Sequence, residues 1–132
     1  MIKTNGAYLL AIKLKKPIQI KVGKLGNLKF KKGYYVYVGS ALKNLEKRIE
    51  RHFKKEKKIE WHIDYLLASK FASLECAIIF LSTKKIECLI SEKISKFAKG
   101  FVKKFGSTDC KCKSHLYYFD DVEKLISAIN SI

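Results

Sequence analysis

The sequence is short of proline, glutamine and acidic residues, and each shortage narrows what it can be. One proline and no Gly/Ser-rich tract in 132 residues leave no linker, so a single domain is expected over residues 1–132. No internal repeat shows. No apolar run approaches the length of a bilayer span, and Met1-Ile2-Lys3 does not open a signal peptide, so the expected location is cytoplasmic. In that reducing compartment Cys76, Cys88, Cys110 and Cys112 read as free thiols first and metal ligands second, rather than as disulfides. Acidic residues number 12 against 28 lysines and arginines, a formal charge of +16. So positive a small body attracts polyanions, and nucleic acid is the expected partner. A membrane surface is not expected, because no amphipathic helix stands apart from the core pattern. A lysine-rich background, with Gln19 as the lone glutamine, accounts for part of the charge.

What is there is a core: 48% of residues are apolar, enough to fold without a metal or disulfide. "AYLLAIKL" (7–14) reads as a buried strand, and "PIQIKV" with "NLKF" flank Gly23-Lys24-Leu25-Gly26 as a hairpin. A strand over 34–38 closes at Gly39-Ser40. From Ala41 the period becomes 3.6, with Leu42, Leu45, Ile49 and Phe53 on one face to about residue 55. "IEWHIDYLLASKF" predicts a second helix and "LECAIIFL" (74–81) a strand. Ser82-Thr83 cap a third helix over roughly 83–99, with Ile86, Leu89, Ile90, Lys93, Ile94 and Phe97 on one side. "LYYF" predicts a short edge strand and "DDVEKLISAINSI" a capped terminal helix. The fold class is α+β: a small central antiparallel sheet flanked by helices, with an extra hairpin and a C-terminal helix.

Projected at about 100° per residue, Arg48 and His52 fall one turn apart on a flank of the first helix, while Lys47 and Arg51 point outward. The preceding strand ends two residues before that helix, which brings Tyr37 near them. A fixed guanidinium beside a polar group suits phosphate hydrolysis, since one steadies the equatorial oxygens and the other the attacking water. In "EWHIDY", His62 reads as a structural or groove-lining residue among Trp61, Ile63 and Leu66. In "DCKCKSH", the simpler reading is a tight loop whose Ser107, Asp109, Ser114 and His115 hold backbone groups. Cys110, Cys112 and His115 also have the types for a tetrahedral zinc site, with Cys88 or Cys76 as fourth ligand, although paired cysteines usually lie at least two residues apart.

"GAY" at Gly6-Ala7-Tyr8, "YVG" at Tyr37-Val38-Gly39 and then "KRIERHF" resemble the GIY-YIG nuclease superfamily. The run from "YVGSA" through "EKR" is similar to the phage intron-homing endonucleases. "WHIDYLL", "IEC" and "FGSTDCKCKSHL" resemble a small uncharacterised branch, sometimes fused to base-excision-repair enzymes, so the likeness spans nearly the whole chain. It implies a three-stranded antiparallel sheet flanked by helices and phosphodiester hydrolysis with one divalent cation, Mg2+ or Mn2+. It implies Tyr8 and Tyr37 as the motif tyrosines, one of which orients or deprotonates water, Arg48 as transition-state stabiliser and His52 as its companion. It also implies one metal-binding carboxylate on the helix after the third strand. Of Glu87 and Glu92 there, projection puts Glu87 beside the core edge, so Glu87 is expected. Ser40, Lys47, Arg51, Lys103 and Lys104, with the lysines of "KKEKK" and Lys111 and Lys113, are the expected nucleic-acid contacts. Ala7 replaces the usual bulky residue, and the hairpin lengthens the gap between the tyrosine motifs. Asp109 and His115 are candidates for a missing asparagine. The expectation is a metal-dependent endonuclease acting on DNA in repair or recombination, with a repair protein as a further partner. The alternatives are a non-catalytic nucleic-acid-binding module and a zinc-stabilised partner domain.

Overall fold

Side-chain alternation on two central strands divides the interior into two cores. The computed structural model describes residues 5–108 and 110–132. Among them β1 (Gly6–Leu14), β4 (Gly33–Ala41), β5 (Ala72–Leu81), β6 (Gly100–Phe101) and β7 (Leu116–Phe119) form a five-stranded sheet in the order β5-β1-β4-β7-β6, every neighbouring pair antiparallel. β2 (Ile18–Lys21) and β3 (Asn27–Phe30) pair separately as the expected hairpin, around a single 3-10 turn at Gly23–Leu25. The α+β architecture therefore holds, with β7 and β6 extending the sheet.

Tyr8, Leu10, Ile12 and Leu14 of β1 share one face with Tyr35 and Tyr37 of β4. That face is covered by α1 (Leu45–Phe53), α2 (His62–Leu67) and the hairpin. Ala7 and Leu9 lie on the other face with Val36, Val38, Tyr117 and Phe119. It is covered by α3 (Glu87–Ser95) and α4 (Val122–Asn130). Burial on both faces makes "AYLLAIKL" almost continuously apolar, and each fully buried Leu or Ile contributes about 1.5–3 kcal/mol. Asp121 caps α4 as expected, its carboxylate accepting from the Glu123 amide.

Several expectations need correcting. α1 begins at Leu45, after Asn44 in a left-handed conformation (φ 54°), and its buried side is Leu45, Ile49 and His52. Leu42 is 79% exposed because it lies ahead of the helix, before the left-handed Asn44, and Phe53, the last helical residue, is 51% exposed because it falls to one side of the Leu45, Ile49 and His52 stripe. α2 has six residues, not the whole of "IEWHIDYLLASKF". α3 starts at Glu87 rather than at Thr83, since the Ser82 hydroxyl accepts from Lys84 N within a local turn instead of capping a helix. Its buried residues are Ile90, Ser91 and Ile94, with Leu89 exposed. β7 is not an edge strand, because the two-residue β6 pairs outside it.

Candidate active site

The site begins where β1 and β4 pair. Tyr8 lies opposite Gly39, and Tyr37 opposite Leu10, so the two phenols sit diagonally on one face with ring centroids 6.5 Å apart. The Tyr8 ring lies directly over Gly39: a Cβ there would stand 2.4 Å from Tyr8 Cζ and 2.5 Å from its hydroxyl. The glycine of "YVG" is thus required by the tyrosine of "GAY". Tyr8 Oη is 2.7 Å from Nε2 of His52, which is 2% exposed and packed among the rings of Tyr8, Tyr37 and Trp61. His52 is therefore a buried member of the site, deeper than a helix flank. Its Nδ1 has no partner among the described residues. Burial, reinforced by the charge of Lys57, lowers its pKa to about 4, so its imidazole is neutral at physiological pH. Burial raises the pKa of both phenols; Arg48 opposes this at Tyr8 by charge and a hydrogen bond, and at Tyr37 by charge alone.

Ser40 joins this wall to the opposite face of the sheet. Its backbone carbonyl accepts from Arg48 Nη1, and its hydroxyl donates to Glu87 Oε2. Arg48 also lies 4.7 Å above the Trp61 ring, which fixes the guanidinium plane. Glu87 opens α3, where the helix dipole favours an anion. Its other oxygen is 2.8 Å from Nδ1 of the buried His115, and that nitrogen also lies 3.2 Å from the Val38 carbonyl. Burial pushes the Glu87 pKa up, but His115, Ser40 and Arg48 together outweigh it and hold the carboxyl below its ordinary value. Burial lowers the His115 pKa while Glu87 raises it, and the net shift is upward. A groove of about 440 Å³, lined by Gly6, Ser40, Ala41, Lys84, Lys85 and Glu87, opens over the carboxylate. A cation and an anion are thus pinned from opposite sides to one residue at the end of β4.

A family model described as a domain of unknown function, DUF123, matches residues 7–132. The chain belongs to the DUF123 family. No curated protein and no solved structure gives a significant match.

Of the residues singled out in this DUF123 chain, Tyr8, Tyr37, Arg48, His52, Ser40 and Glu87 come together, while others are committed elsewhere. Arg51 does not point freely outward. It grips the fully buried Asp64 with both nitrogens, at 3.0 and 2.8 Å, donates to the Lys58 carbonyl and stacks 4.3 Å above Trp61. Burial raises the Asp64 pKa, but Arg51 and the amides of Glu60 and Trp61 more than reverse the shift. Two lysines of "KKEKK" are structural: Lys55 donates to the carbonyls of Leu67, Ser69 and Ala72, and Lys57 to those of Arg51 and His52. His62 accepts from the Gly106 amide at 3.0 Å and so secures the 105–106 turn, whose Phe105 packs on Tyr37. Lys47, Lys103, Lys104, Lys111 and Lys113 are exposed. Asp109 lies outside the described residues. The double use of Ser40 left no signal in the sequence beyond its place after "YVG", and neither did the support that His115 gives Glu87.

Proposed function

We propose that this DUF123 chain is a metal-dependent endonuclease that hydrolyses nucleic-acid phosphodiesters, DNA in the first instance, in repair or recombination in the cytoplasm. One observation carries it: Ser40 holds Arg48 by its carbonyl and Glu87 by its hydroxyl, with the Tyr8–His52 pair behind them. The likeness of "GAY", "YVG" and "KRIERHF" to GIY-YIG nucleases supports the same reading.

The carboxylate of Glu87, anionic and 27% exposed at a groove, together with the Ser40 hydroxyl, is a hard-oxygen donor set that fits Mg2+ or Mn2+ with most of its waters kept. Such an ion, when bound, supplies positive charge for the phosphate oxygens and acidifies water. Arg48 spends one N–H on Ser40 and has others for a non-bridging oxygen, where they oppose charge that grows in the transition state. Tyr8 is preferred to Tyr37 for holding the nucleophilic water, because Tyr8 touches both His52 and Arg48. The neutral His52 imidazole has a lone pair for the phenolic proton, which leaves the Tyr8 oxygen free to accept from water. The buried phenols, both with raised pKa, are what favour the alternative of a binding module without catalysis.

Purified protein should be assayed for nicking of duplex, single-stranded and branched DNA with Mg2+ or Mn2+, with filter binding on the same samples. Cleavage abolished by EDTA, by Arg48→Ala and by Glu87→Ala, with binding retained, is the expected result. Salt-sensitive binding without metal-dependent cutting of any substrate would sink the enzyme and leave the module.

A further inference from the structure

Beside the carboxylate site is a second cluster made of softer donors. Sγ of Cys88, Cys110 and Cys112 and a ring nitrogen of His115 all lie within 4.8 Å of one another. Nε2 of His115 is 3.3 Å from Cys110 Sγ and 4.0 Å from Cys88 Sγ. With zinc–sulfur bonds of about 2.3 Å and a zinc–nitrogen bond of about 2.0 Å, a tetrahedron has edges of about 3.5–3.8 Å, close to these separations. All four cysteines are free thiols.

From this geometry we infer that Cys88, Cys110, Cys112 and His115 form a zinc site that fastens residues 110–115 to α3. The single residue between Cys110 and Cys112 is no obstacle, because the site does not depend on that pair alone: Cys88 arrives from the first turn of α3 and His115 from just before β7. Lys111 between them is exposed while both cysteines are half-buried, so the intervening side chain stays out of the cluster. The orientation of His115 points the same way. Its Nδ1 faces the Glu87 carboxylate and the Val38 carbonyl, which leaves Nε2 directed at the thiols. A carboxylate behind a histidine is how metal-bound imidazoles are commonly held. Cys76, exposed on β5, is not in the cluster.

Binding replaces three thiol protons and leaves three thiolates and a neutral imidazole around the ion. The resulting single negative charge sits beside exposed Lys111 and Lys113. Glu87 then has a second task as a positioning residue, since the carboxylate that steers His115 is the one offered to the groove.

The inference is independent of the nuclease reading, and its test uses no substrate. The whole chain, purified under reducing conditions, is to be titrated with Zn2+ and with Co2+, with metal content measured after exhaustive dialysis. One zinc per chain is expected, with a cobalt spectrum showing thiolate charge transfer and intense tetrahedral d–d bands. Cys76→Ser should keep both, Cys112→Ser should lose them, and Glu87→Gln should weaken zinc affinity about tenfold. Thiol alkylation of the unmutated chain covers the case of a variant that fails to fold: zinc should protect Cys88, Cys110 and Cys112 and leave Cys76 reactive. A chain that retains no zinc, or four thiols alkylated equally fast with and without it, would overturn the site. So would an unchanged cobalt spectrum in a folded Cys112→Ser protein.

Discussion

Arg48 and Arg51 are the chain's two arginines, three residues apart, and their side chains do different work. Arg51 is spent on Asp64, whereas Arg48 donates to the Ser40 carbonyl and so stays at the end of β4, beside the site. On the nuclease reading, Arg48→Lys keeps the charge but loses the planar fork. Its single-turnover nicking should fall by about 10²-fold while filter binding changes little. His52 gives a prediction about stability. Its folded pKa is about 4 against an ordinary 6.5, so between those values the unfolded chain binds the extra proton. Stability is therefore fully present above pH 6.5 and falls as pH drops toward 4, by a total on the order of 3 kcal/mol. Urea midpoints across that window should slope less in His52→Gln; an equal slope would assign the effect elsewhere. Spacing singled out Arg48 and His52 with Tyr37 near them, whereas Tyr8 and the need for a carboxylate came from the resemblance to GIY-YIG nucleases, helical projection then choosing Glu87. The depth of His52 was not legible, because helical projection gives a direction and not what the neighbouring sheet places above it.

Among the elements, the strands were the most readable, since burial on both faces or on one leaves a plain apolar pattern. Helix limits were less so. α1 and α2 are short and have hydrogen-bond needs that the intervening lysines meet, a use invisible in a charge run. Lys55 satisfies carbonyls at the end of α2 and in the turn into β5, and Lys57 those at the end of α1. Lys55→Met should therefore cost about 1–3 kcal/mol in urea unfolding, whereas a solvated surface lysine would cost within about 0.5 kcal/mol. β6 escaped notice because two residues, Gly100 and Phe101, are too short a run to carry a period.

Across the whole molecule, a formal +16 is the property most directly tied to a polyanionic partner. On the proposed function, binding to duplex DNA should weaken linearly in log–log salt titrations. Each phosphate-contacting lysine among Lys47, Lys103, Lys104, Lys111 and Lys113 that is replaced by glutamine should reduce the slope by about one. Unchanged slopes would turn the search to another face. No helix among the described residues is long and apolar enough to cross a membrane. The distance along the chain between the two parts of the site bears on how the protein is made. Tyr8, Ser40, Arg48 and His52 leave the ribosome before Glu87, but the imidazole that steadies Glu87 is residue 115, and β7 follows it. A nascent or clipped chain ending before that point carries much of the basic surface but lacks the support for its carboxylate. On the nuclease reading, cleavage waits until residue 115 and the strand that follows it have been made.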